Sequence, residues 1–167
     1  MSITKGKILQ TLDELDKLYQ RTNNQNLQVY YSKLALLELC GWLEISIDDI
    51  VKKCAKRCLK NIDNIKYIEE QIKKTSSFDY KNNFRGLLIQ IIGLINFEML
   101  EKKVQPTSLA TLPSTLTALK TLRNSHAHTH IKGCTTQVNA PSWTKGNFIS
   151  VFNALKDYEL NLKDLGL

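Results

Sequence analysis

The chain has 167 residues, 43% hydrophobic and 23% charged, enough for one domain with its own core and too short for two. Lys and Arg total 23 against 16 Asp and Glu, a formal net charge of +7, which points to polyanionic partners such as nucleic acid or an acidic inhibitor protein. This composition excludes disordered, collagen-like and disulfide-scaffold classes, and only seven Gly and three Pro argue against a sandwich of short strands.

Ile8, Leu12, Leu15 and Tyr19 recur at helical spacing and predict a first helix from Thr4 to Arg21, stopped by the polar run Thr22 to Asn26. From Leu27 to Leu59 there is no Pro and a single Gly41, so one long helix is expected, with Gly41 as the place for a bend. Ile62, Ile65, Ile68 and Ile72 mark a shorter helix. A fourth spans Tyr80 to Lys103, and its centre, Leu87 to Phe97, is apolar almost all round, as a buried spine would be. Gln105 to Leu112 reads as a linker, with Pro113 in the first turn of a fifth helix that reaches His130. A last helix runs from Thr144 to Asp164. The expectation is a single all-α domain over residues 1–167, a bundle of five to six helices.

Lys5 and Lys7 interrupt the N-terminal segment, so it does not read as a signal peptide. The longest uncharged apolar run, Gly86 to Phe97, is shorter than the roughly 18 residues of a membrane span. With Cys40, Cys54, Cys58 and Cys134 read as reduced thiols, a cytoplasmic protein with no membrane partner is expected.

All three histidines fall in Arg123-Asn124-Ser125-His126-Ala127-His128-Thr129-His130. Two chemistries compete for them. His126 and His130 are four apart and share a helical face, as two zinc ligands would, but His128 points elsewhere and no nearby carboxylate completes the set. Alternatively, a neutral imidazole takes a proton from a hydroxyl near neutral pH, while a guanidinium holds phosphate oxygens through paired donors. RNA carries its own nucleophile in the 2′-OH, so a base, a cation and positioning suffice, with no cofactor.

Arg123-Asn124-Ser125-His126-Ala127-His128 resembles the R-x4-6-H motif of HEPN-domain ribonucleases in its form R-N-x-x-A-H, placed near the end of the penultimate long helix of an all-α chain. Cys40-Gly41-Trp42-Leu43-Glu44 is similar to the aromatic-x-Glu segment of stand-alone members. The resemblance implies a metal-independent endoribonuclease of the toxin or anti-phage defence type, acting on RNA (tRNA among the candidates). It also implies a homodimer with a composite site and a neutralising antitoxin or regulatory partner. Carried onto this chain, the catalytic set is Arg123, Asn124 and His128, with Glu44 orienting the arginine and His130 as a further phosphate contact. His128 gives four intervening residues and His130 six. Ala127 before it favours His128, while Thr129 departs from the Gly often found next. His126 falls outside the motif and reads as structural. The alternatives are a non-catalytic HEPN-like module that binds RNA, nucleotide or protein, and a small helical metal-binding protein.

Lys52, Lys53, Lys56 and Arg57, with Lys60 beyond them, place cations at the end of the long helix and are candidate RNA contacts. Lys132, in the segment after the motif, is another, with Trp143 and Lys145 near its end.

Overall fold

A computed structural model describes residues 3–75, 77–127 and 138–167. Among the described residues there are six α-helices, one π-helical turn and no strand. They are α1 (Gly6–Arg21), α2 (Gln25–Cys58), α3 (Ile62–Lys74), α4 (Gly86–Lys103), α5 (Pro106–Ala127) and α6 (Pro141–Asp164), with the π-helical turn Tyr80–Arg85 leading into α4. No helix among the described residues is long and apolar enough to cross a membrane.

The axis of the bundle is α2, which packs against every other helix and the π turn. Its start is set locally: the Asn24 side chain accepts from the backbone N–H groups of Asn26 and Leu27, at 2.9 and 3.3 Å, which satisfies two of the helix's orphan donors. It then runs unbroken through Gly41, so the glycine does not end it. Leu36, Leu39, Leu43, Ile47, Ile50 and Cys54 bury one face against the other helices. Trp42 ties three elements together: its indole N–H donates to the Thr4 carbonyl at 3.0 Å and its ring meets Phe148 of α6 edge-on, centroids 5.1 Å apart.

The opposite face of α2 is uncovered. Leu27, Tyr30, Leu34 and Leu37 are 39%, 51%, 44% and 42% exposed. Together with Gly41 and Glu44 they repeat at alternating steps of three and four residues, the spacing of a helix-pairing seam. Ile45 flanks the same stripe, also exposed.

Three expectations are corrected. The centre of α4 is not a buried spine throughout. Gly93 adopts φ 76°, ψ 162°, a conformation open essentially to glycine alone, and it breaks the helix into two pieces. The break resets which residues face inward: Leu87, Leu88 and Phe97 are buried, whereas Leu94, Ile95 and Met99 face out. The fifth helix does not wait for Pro113. It starts at Pro106, where the missing N–H costs nothing, and Pro113 lies inside it. The next hydroxyls bond back into that turn, with Ser114 Oγ donating to the carbonyls of Ala110 and Thr111 and Thr117 Oγ to that of Pro113. α6 starts three residues earlier than expected because Pro141 occupies its first turn, which moves Trp143 from loop to helix.

Candidate functional site

Arg123 sits in the last described turn of α5 and Glu44 in the middle of α2, and the packing of those helices brings the two side chains together. Arg123 Nη2 donates to Glu44 Oε1 at 3.2 Å, with the two side chains about one third exposed. The guanidinium carbon lies 5.7 Å from the ring centroid of Phe78, which is fully buried. A carboxylate on one edge and an aromatic ring beneath therefore hold the planar group. Its Nε is buried and has no hydrogen-bond partner among the described residues. About a third of the side chain is exposed, and a guanidinium's terminal nitrogens are donors of the kind that take an anion in paired fashion.

The floor under Arg123 comes from the segment before α4. Asp79 caps the π turn by accepting from the Asn82 N–H at 2.9 Å, and it pairs with Lys120, one turn before Arg123, at 3.1 Å. These contacts hold the Asp79 carboxyl below the usual carboxylate range, the Asn82 amide foremost. Within the π turn the buried Asn83 amide donates to the Thr75 carbonyl. The turn closes on Gly86, where a Cβ would lie 2.8 Å from the Lys81 carbonyl oxygen, so only glycine fits.

Two neighbouring groups are set aside from proton chemistry at neutral pH. Burial pushes the Cys40 thiol up to about 12, against a smaller opposing pull from Arg123, so it stays protonated. His126 is buried, and burial followed by the nearby Lys33 charge holds its imidazole below the usual value, in the neutral form. Its Nδ1 has no partner among the described residues, and it lines a small cavity together with Ser32, Leu36 and Trp143. Asn124 and Ala127 are exposed on α5. His128, His130 and Lys132 lie outside the described residues.

The cations of α2 are not brought to Arg123. At about 100° per residue, Lys53 lies roughly half a turn around α2 from Glu44 and about 13 Å further along the axis. Lys52 pairs with Asp48 of its own helix at 3.9 Å. Lys53, Lys56 and Arg57 line a separate cleft of about 520 Å³ against α6, shared with Lys156, Leu160 and Lys163. The contributions of α6 escaped sequence reading, although Lys156 and Lys163 are seven apart and therefore share a helical face. Cys54 and Cys58, with sulfurs 4.0 Å apart, are free thiols, as is Cys40. No group of three His, Cys, Asp or Glu among the described residues is placed to hold a metal ion.

In comparison with known proteins, no family model, no curated protein and no solved structure matches the chain.

Proposed function

We propose that this chain is a HEPN-type, metal-independent endoribonuclease that works as a homodimer, a toxin or anti-phage effector in the cytoplasm. The observation that carries the reading is the Arg123–Glu44 pair: an arginine held by an acid and a ring, at the end of the helix that leads into Ala127-His128. In the proposed reaction His128 removes the proton of the RNA 2′-OH, and the oxygen attacks the adjacent phosphorus. Arg123 donates to the non-bridging oxygens as negative charge builds, and the P–O5′ bond breaks with the 5′-oxygen taking a proton from water, giving a 2′,3′-cyclic phosphate and a 5′-hydroxyl. Asn124, exposed one residue after Arg123, and His130 contact the same phosphate. Glu44 is a positioning residue that fixes the plane of the guanidinium.

Dimerisation is supported by the exposed stripe of α2. Leu27, Tyr30, Leu34 and Leu37 form a seam that reaches Glu44, so a second copy seated on it covers apolar area and brings two Arg123 ends to one interface.

The test is incubation of the purified chain with total RNA and with tRNA in EDTA, followed by end-group analysis. Cleavage with 2′,3′-cyclic phosphate ends, absent from His128→Ala, is expected. Cleavage that stops on chelation and returns with Mg²⁺ would overturn the mechanism.

A further inference from the structure

The cleft between the C-terminal halves of α2 and α6 has a charge imbalance that the nuclease reading does not use. From α2 it takes Lys53, Lys56 and Arg57, at i, i+3 and i+4, and from α6 Lys156, Glu159, Leu160 and Lys163, at i, i+3, i+4 and i+7. Two helical stripes thus face each other across a hollow of about 520 Å³, within the size range of small-ligand sites. Five cations surround one carboxylate.

That carboxylate is already engaged. Glu159 is buried, accepts from the Ile3 N–H at 3.2 Å, and pairs with Lys53 at 3.4 Å and Lys156 at 3.1 Å. Lys56, Arg57 and Lys163 have no acidic partner among the described residues. Arg57 spends only Nε, on the Lys53 carbonyl at 3.3 Å, which leaves its terminal nitrogens for a ligand. The C-terminal dipole of α2 favours cations in its last turn, but an aggregate of about half a charge does not balance three.

On α2 the basic stripe stops at Asp49, one turn before Lys53, while beyond Lys156 Lys5 stands over the Phe152 ring, 5.7 Å from its centroid. A hollow of about 520 Å³ with an excess of positive charge and one exposed apolar wall, Leu160, suits a short, dense anion that fits inside it. We infer that this cleft binds a compact ligand carrying two or more linked phosphates, a polyphosphate or nucleoside polyphosphate, through Lys56, Arg57 and Lys163 over a floor built by Glu159 with Lys53 and Lys156. The inference goes beyond the nuclease reading and does not depend on it, because the cleft lies on the far side of α2 from Arg123.

The experiment is titration calorimetry of the full chain with sodium tripolyphosphate, ATP, inorganic phosphate and a twelve-nucleotide RNA. It uses wild type, the triple variant Lys56→Gln/Arg57→Gln/Lys163→Gln, and Arg123→Lys. Tripolyphosphate and ATP should bind saturably, tighter than ~1 mM and tighter than inorganic phosphate. The triple variant, with three solvent-facing ion pairs lost, should bind them roughly tenfold more weakly at an unchanged melting temperature, whereas Arg123→Lys should bind them as wild type does. Absence of saturable binding, equal affinity in the triple variant, or weakening by Arg123→Lys overturns the assignment. RNA binding that the triple variant loses, with no binding of tripolyphosphate, overturns it in favour of a polymer surface.

Discussion

The two faces of α2 use positive charge in opposite ways. On one, a single guanidinium is held by a carboxylate at 3.2 Å and a ring at 5.7 Å, with its orientation settled before any ligand arrives. On the other, three cations converge on a hollow without acidic partners among the described residues. The first arrangement gives little affinity and much geometry, which is what stabilising a developing charge demands. The second gives affinity with little geometry, since flexible ammonium groups attract any dense anion. The two sets of residues do not overlap, so the proposed reaction site and the proposed anion cleft can be tested separately.

Variants that act on one face alone can break this contrast. The largest effect is expected from His128→Ala: loss of the proposed general base should lower RNA cleavage by about 10²–10⁴, while tripolyphosphate affinity stays as in wild type. Equal cleavage by His128→Ala with loss in His130→Ala would move the base to the longer spacing. Next comes the seam. Leu34→Asp with Leu37→Asp, both exposed in one copy, should give a folded monomer by light scattering that no longer cuts RNA. A fully active monomer would contradict the composite site.

A smaller effect tests the floor beneath Arg123. Gly86→Ala forces a Cβ to within 2.8 Å of the Lys81 carbonyl oxygen, so the π turn must shift. It should cost about 1–3 kcal/mol in denaturant unfolding, and cleavage should fall with no change at the polyphosphate cleft. An unchanged midpoint would show that the turn yields freely.

The smallest effect is a pH dependence. The folded-state pKa of His126 lies below its unfolded value, so the unfolded chain takes up the proton first. The stability linked to its neutral form is present above the unfolded value of about 6.5 and is lost as pH falls through the folded value. His126→Asn should flatten the fall in unfolding free energy between pH 7 and pH 5. The same slope in wild type and variant would refute this account of the buried imidazole.

Much of the fold was legible in local pattern, because helices with one apolar stripe announce themselves every three or four residues. Ile8, Leu12 and Leu15 mark α1, and Ile68 and Ile72 mark α3, where the structure buries them. The failures lie where a single residue overrides the pattern. Gly93 breaks an apolar run by a conformation that composition does not reveal, and Pro113 sits inside a helix that has already begun at Pro106. Of the candidate site, Glu44 and Arg123 are 79 positions apart and were joined by resemblance, not by spacing; the structure places them in contact. The basic cleft was half legible: the α2 cations stand out as a run, but only tertiary packing sets Lys156 and Lys163 opposite them.

Arg123→Lys tests the central claim most directly, since it keeps the charge and removes the planar fork. The measurement is single-turnover cleavage of a defined RNA in EDTA, beside circular dichroism and light scattering on the same sample. The account predicts a folded dimer whose cleavage falls by about 10²–10³, the cost of losing a preorganised donor to the developing oxyanion. Cleavage near the wild-type rate would contradict it, because a lysine would then serve and the orientation enforced by Glu44 and Phe78 would have no part in the reaction.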